Sequence, residues 1–316
     1  MSPPPSTPQR PPAATRDDSQ TGDHSRAAPT LSDWAKSLPL YPLPHHPISR
    51  LVHRLARSRA EWFRKPFTRW FARRYRVDMR EAIETDPLAY PCFNAFFTRA
   101  LRPEARPLPA DVDAVCSPAD GEISAWGPIH AGRLIQAKGR DYALRALLAS
   151  AEGVEDGFDG GSFMTVYLSP RDYHRVHMPL AGQLREMRHV PGRLFSVGRH
   201  TVCTIPEVFS RNERVVCLFQ GEAGRFAVVL VGAINVASIE TVWAGEVTPP
   251  AGRRIERIRY GADAPCLERG AELGRFNMGS TAIVVFEPGL VRIDARLRCG
   301  ERVLVRQAIG RLATGG

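Results

Sequence analysis

From Pro103 onward the chain is written as short runs of β-branched and aromatic residues separated by Gly, Pro and polar turns, and that pattern restricts it to a strand-rich core. The runs are Gly121 to Trp126, Ser162 to Leu168, Val215 to Phe219, Phe226 to Val231, Ile239 to Trp243, Thr281 to Phe286 and Val303 to Arg306. They do not alternate with helical segments in a βαβ rhythm. Neither GxGxxG nor GxxxxGK occurs, which argues against a nucleotide-binding sheet. Lys138 to Ser150 is expected to form a short helix, with Leu144, Leu147 and Leu148 on one side. Ser117 to Gly121 and Gly300 to Gly310 both read as strand–turn units, but they establish no repeat.

The character before Pro103 is different. Ile48, Leu51, Val52 and Leu55, then Trp62, Phe63, Phe67, Trp70 and Phe71, recur at spacings of three and four that put them largely on one helical face. Pro66 interrupts that pattern, predicting two helices or one kinked helix. Between Arg50 and Arg76 lie ten Arg or Lys residues and one acid, Glu61. Cations beside Trp, Phe and Leu suit the boundary of an anionic bilayer. The same pattern also fits a helical pair packed on the core with a solvated basic face, or contact with nucleic acid. Residues 1–30, rich in Pro, Ser, Thr, Asp and Arg, read as a disordered tail. The expected class is therefore α+β: a predominantly β catalytic core with short helices and an N-terminal basic amphipathic helical region. Its expected partition is a tail over 1–30, a membrane-surface helical region over 31–85, and the core over 86–316.

Several classes are disfavoured. Six cysteines, Cys92, Cys116, Cys203, Cys217, Cys266 and Cys299, are too dispersed for a CxxC redox or zinc pattern, and reduced thiols in the cytoplasm are expected. No metal site is expected. The N-terminus lacks the features of a secretory signal. The longest nearly apolar stretch, Phe226 to Ala237, is too short to span a bilayer. The formal charge of +10 rests almost wholly on arginine, since the lysines are Lys36, Lys65 and Lys138. Arginine-rich coding explains the scarcity of lysine but not the clustering of positive charge.

Three segments join reactive groups to tight turns: Ser117-Pro118-Ala119-Asp120-Gly121, Tyr173-His174-Arg175-Val176-His177-Met178-Pro179, and Phe276-Asn277-Met278-Gly279-Ser280-Thr281. Each alone is weak. An Asp-Gly pair is usually a turn, two histidines three apart can simply cap a surface, and Gly-Ser often begins a strand. Together they supply a carboxylate, an imidazole and a hydroxyl without the GxSxG elbow of a hydrolase. The sequence supplies this inventory but not its contacts.

At these residues the chain resembles the bacterial phosphatidylserine decarboxylase family. That family's Leu-Gly-Ser-Thr element stands here as Met278-Gly279-Ser280-Thr281, followed by an apolar strand. Further matching blocks are Phe93 to Arg99, Tyr167 to Pro179, Leu194 to Val197, Asn212 to Arg214 and Ile239 to Gly245. Gly198 stands where relatives often carry Asn. The resemblance spans roughly residues 40 to 312 and implies that Asp120, His177 and Ser280 form a processing triad that cleaves the chain between Gly279 and Ser280. Ser280 would become a pyruvoyl group, the covalent cofactor, which takes the serine headgroup amine as a Schiff base and accepts the electrons released with carbon dioxide. His174 would assist decarboxylation by protonating the resulting carbanion. Arg171 and Arg175 are possible neighbours of the headgroup phosphate, or simply surface charges.

The partners implied are phosphatidylserine, an anionic membrane surface, the chain's own two cleavage fragments held together, and a homodimer of processed protomers. The expected location is peripheral, on the cytoplasmic face of the cell membrane. Competing readings are an inactive membrane-surface scaffold on the same core, a serine hydrolase that retains Ser280, and a nucleic-acid binder, which the absence of base-reading modules disfavours, leaving no nucleic-acid partner expected.

Overall fold

The computed structural model describes residues 29–137, 139–150, 157–234, 238–248, 254–279 and 281–313. Ser280, Lys138, the end of the apolar stretch at 235–237 and nearly all of the expected tail lie outside the described residues. The helical region begins with α1 (Leu31–Ser37), where Thr30 and Asp33 form a reciprocal capping box. Next come α2 (His45–Ala56) and α3 (Glu61–Tyr75). Two helices form, but not by the division expected at Pro66: the break falls at 57–60 and Pro66 sits inside α3. The short helix α4 (Phe93–Phe97) follows.

Helix α2 is docked by its polar side. His45, Ser49 and Ala56 are buried, while Leu51 and Leu55 remain 58% and 43% exposed. His45 is held through both ring nitrogens: Nε2 donates to the Leu40 carbonyl at 2.8 Å, and Nδ1 accepts from the Leu194 amide at 3.3 Å. Helix α3 divides its aromatics. Phe71 is buried against Phe93, Phe96 and Phe97 of α4, while Trp62 and Trp70 point outward at 82% and 54% exposure. Buried Arg64 ties α3 down by donating to the Leu88 and Tyr90 carbonyls. No described helix is long and apolar enough to cross a membrane.

The core is one large antiparallel sheet. Its central strand, Thr281–Phe286, is wholly buried and pairs with Arg225–Val231 on one side and Ser162–Tyr167 on the other. Beyond these lie Arg214–Gln220 and Gly182–Val190 in one direction, and Gly121–Pro128 and Arg302–Val303 in the other. A four-stranded sheet sets Arg175–His177 beside Glu272–Phe276, then Ile239–Thr241 and Gly245–Glu246. A three-stranded sheet places Ala308–Leu312 between Ala114–Cys116 and Val291–Ile293. Strand exceeds helix, so the α+β expectation holds.

The expected helix over Lys138 to Ser150 is half corrected. Arg140–Ala143 is a strand paired with Arg133–Ala137, and only Leu144–Leu148 is helical. Leu144, Leu147 and Leu148 are buried as expected. The polar-looking strand Gly182–Val190 escapes a hydrophobicity reading because its Arg and Glu side chains pair with one another, Arg188 to Glu186 at 2.7 Å.

Candidate active site

Asp120 sits in the turn between Ala114–Cys116 and Gly121–Pro128, 2% exposed. The turn needs Gly121, because a Cβ there would fall 2.3 Å from the Tyr167 carbonyl oxygen. The Asp120 carboxylate accepts from Arg106 Nε at 3.0 Å, Arg106 Nη2 at 2.6 Å and the Val305 amide at 2.8 Å. Arg106 also reaches Glu81 at 2.8 Å.

His177 ends the strand Arg175–His177, and its backbone amide donates to the Pro118 carbonyl at 2.8 Å. This places it two residues from Asp120 across the pairing, yet among the described contacts no hydrogen bond joins the two side chains. The imidazole Nδ1–H donates to the Gly270 carbonyl at 2.8 Å, and Nε2 accepts from the Tyr173 hydroxyl at 3.2 Å. Burial lowers the His177 pKa, and the Gly270 carbonyl only partly opposes it. The Tyr173 hydroxyl is pushed up to about 12 by burial, so it is a neutral donor.

His174 is fully buried. The turn before it is built by Asp172, whose Oδ2 accepts from the Ser169 amide and hydroxyl at 2.7 and 2.6 Å. The His174 ring lies against Phe97 of α4, centroids 4.0 Å apart. Its Nδ1–H donates to the Asp172 carbonyl at 2.8 Å, which leaves Nε2 as an acceptor with no partner among the described residues. Burial, reinforced by nearby Arg99, pulls its pKa down to about 3. Nε2 faces the processing segment: a Cβ placed on Gly279 would lie 3.8 Å from it.

Met278 has φ 104°, a region non-glycine residues rarely enter, and its side chain joins the aromatic cluster of α3 and α4. Met in place of Leu therefore keeps an apolar anchor without a branch at Cβ. A cavity of about 410 Å³ covers Met278 and Gly279, with Val52, Phe67, Trp70, Leu168 and Val197 among its walls. Gly198 lines it too, and its carbonyl caps the helix Arg199–Thr204 by accepting from Thr201. Since Trp70 is half exposed, the cavity reaches the outward aromatic face of α3.

The structure thus brings His174 to Gly279, while Asp120 and His177 occupy a neighbouring buried layer with other partners. Arg171 is exposed, and Arg175 is committed to the Thr98 carbonyl at 2.9 Å and Glu272 at 2.8 Å. Arg99, Arg106 and Tyr173 belong to the site by contact; Arg99 and Tyr173 stand in matching blocks that assign them no role, and Arg106 carries no local signal. Among the described residues no cluster of His, Cys, Asp or Glu could hold a metal ion.

A strand-rich core that carries buried imidazole and carboxylate groups beside Gly279, with no GxSxG elbow, has the makings of an enzyme site rather than of a serine hydrolase. Comparison with known proteins agrees. The family described as phosphatidylserine decarboxylase matches residues 93–311, and a family described as PSD matches residues 35–76. A phosphatidylserine decarboxylase proenzyme of Alkalilimnicola ehrlichii is 59% identical over 254 residues, covering 80% of this chain and 88% of the relative. Proenzymes of the same description from Pseudomonas fluorescens and Pseudomonas aeruginosa are 56% and 58% identical, each covering 85% of this chain and 94% of its own length. The chain belongs to the phosphatidylserine decarboxylase family.

Proposed function

We infer that this chain cleaves itself between Gly279 and Ser280 and then decarboxylates phosphatidylserine to phosphatidylethanolamine and carbon dioxide. The observation that carries the reading is the setting of Gly279, the residue preceding Ser280: a cavity lies over it, and the Nε2 of buried His174, unpartnered among the described residues, lies beside it.

In processing, the Ser280 hydroxyl attacks the Gly279 carbonyl carbon and its proton passes to His177. The C–N bond breaks, the nitrogen takes up a proton, and an ester remains. Loss of the Ser280 α-proton with cleavage of the Cβ–O bond leaves a Gly279 carboxylate and dehydroalanine, whose imine form takes up water and releases ammonia. Tyr173 occupies the accepting nitrogen of His177, so this hydrogen bond must open or Tyr173 must pass the proton on. Asp120 supports the site through Arg106 and the Val305 amide; orienting His177 directly requires it to move from those partners.

The surroundings suit amine chemistry on a ketone cap at position 280, because an acceptor nitrogen with no partner among the described residues and an apolar-lined cavity lie beside Gly279. That carbonyl supplies the acceptor for the substrate amine and for the electrons released with carbon dioxide. His174, neutral at pH 7, starts as a proton acceptor rather than the ready donor suggested by an ordinary imidazole pKa. It takes the proton the substrate ammonium must shed and returns it to the carbon that lost its carboxyl.

The short fragment stays in place after cleavage, since Thr281–Phe286 is central in the main sheet and Ala308–Leu312 is central in the three-stranded one. Helices α2 and α3 lay their outward Leu51, Leu55, Trp62 and Trp70 into an anionic membrane surface, a peripheral attachment on the cytoplasmic face. Processed protomers form a homodimer. Intact-mass measurement tests the reading: active protein should contain residues 1–279 and a pyruvoyl-blocked 280–316 that reacts with a carbonyl reagent. Active protein with an uncut Gly279–Ser280 bond would overturn it.

A further inference from the structure

We infer that Asn277 is a positioning residue for self-cleavage, holding the turn that presents the Gly279 carbonyl. The inference rests on the self-processing reading and goes beyond it in naming what keeps Met278 in its strained backbone conformation.

Asn277 is fully buried just after the strand Glu272–Phe276 and is hydrogen-bonded through both its side chain and its backbone. Its amide Nδ2 donates to Ser238 Oγ at 2.5 Å, its Oδ1 accepts from Asn94 Nδ2 at 3.0 Å, and its backbone N–H donates to the Ser238 carbonyl at 2.9 Å. Asn94 belongs to α4, the helix whose Phe97 stacks on His174. Ser238 is in turn reached by Arg57 at the end of α2, at 3.4 Å, and Arg57 pairs with Glu246 at 3.2 Å. His53, also on α2, meets the other oxygen of Glu246 at 2.6 Å.

The next residue is Met278 at φ 104°. A non-glycine residue stays in such a region only when its neighbours over-determine it. Two grips supply that constraint. The Asn277 side chain is tied to Ser238 and Asn94, and the Met278 side chain is packed among the α3 and α4 aromatics. Between them the peptide leading to Gly279 has one orientation. A fixed carbonyl raises the effective concentration of the attacking hydroxyl, as oriented intramolecular reactions require. A purely structural Asn would tie two helices together without affecting a bond two residues later.

The test follows conversion of freshly synthesised full-length precursor by electrophoresis, below the unfolding temperature of each variant. Asn277→Leu keeps the branched shape but no side-chain hydrogen bond, and should slow cleavage about tenfold or more. Asn277→Asp keeps both contacts, because Ser238 Oγ can donate to the carboxylate, and should restore most of the rate. Ser238→Ala and Asn94→Ala each delete one contact and should give smaller losses. Hydroxylamine, which cleaves esters far faster than amides, should release no excess fragment from Asn277→Leu, since the block precedes ester formation. Thermal unfolding in a Ser280→Ala background separates folding from chemistry. The inference is overturned by conversion of Asn277→Leu within about twofold of wild type, by equal slowing of the Leu and Asp variants, or by accumulation of a hydroxylamine-sensitive ester. Wild-type precursor that never converts would remove the self-processing reading as well, and so is distinguishable from a failure confined to Asn277.

Discussion

Trp62→Ala should strip the protein of much of its membrane affinity while leaving the fold intact. Trp62 stands at the start of α3 with 82% of its surface exposed. A buried Trp removes up to about 250 Å² from water, so the exposed share is about 200 Å². Complete transfer of that area out of water corresponds to about 5 kcal/mol at ~25 cal/mol/Å². A ring lying at the headgroup level is dehydrated on roughly one side, which leaves about 2 kcal/mol, or about 30-fold in vesicle partitioning. The same substitution at Phe71, 5% exposed on the opposite face of α3, should instead cost about 3–5 kcal/mol of stability. Sedimentation with anionic vesicles, paired with thermal unfolding, reads both effects. High salt should weaken binding of the wild type by screening the basic face, and should leave the Trp62 contribution nearly unchanged. If Trp62→Ala binds anionic vesicles as the wild type does, the outward face of α3 is not a membrane contact.

Other expectations concern the buried ionisable groups. His174→Ala should still self-cleave, at least in part, but lose most decarboxylation, whereas His177→Ala should remain uncut; electrophoresis followed by a carbon dioxide assay separates the two, and full cleavage of the His177 variant refutes its role as processing base. Because the folded pKa of His174, about 3, lies below its ordinary value of 6.5, the unfolded chain binds more protons between these limits and stability falls as pH drops through that window. Between pH 6.5 and 5 this amounts to about 2 kcal/mol, and His177 shifts in the same direction. Denaturant unfolding of Ser280→Ala and Ser280→Ala/His174→Phe precursors should show the pH dependence shrinking in the second; an unchanged slope would remove His174 as its source. Asp120→Asn leaves Arg106 paired only to Glu81 and should destabilise the precursor by about 3 kcal/mol, a loss that equal melting temperatures would contradict.

Much of the site was legible because its chemistry is carried by contiguous blocks. Gly279, the His174 and His177 pair and the Asp120-Gly121 turn each stand in a short segment whose residue types suit the chemistry, and the family resemblance assigns their order. The strand runs of the core were legible for a related reason. Val228, Val229, Ile283 and Val284 must be apolar on both faces because their sheet is covered on both sides. Strands rich in charge, such as Gly182–Val190, were hidden, because their polarity is neutralised by partners distant in sequence or on the same strand, and hydrophobicity carries no trace of such pairing.

By itself, the sequence determined a β-rich core, a basic aromatic helical segment and an inventory of one carboxylate, two imidazoles and a Gly-Ser bond. The tertiary structure decided which way each group faces. It turned α2 so that His45 and Ser49 go inward and Leu51 and Leu55 outward, a choice that helical periodicity permits in either sense. It gave Asp120 to Arg106, gave His177 to Gly270 and Tyr173, and left His174 Nε2 beside Gly279 with no partner among the described residues. Apart from Tyr173, four positions from His177, these pairings join residues from 14 to 105 positions apart, and burial then lowers the pKa of both histidines, which no local pattern could have encoded.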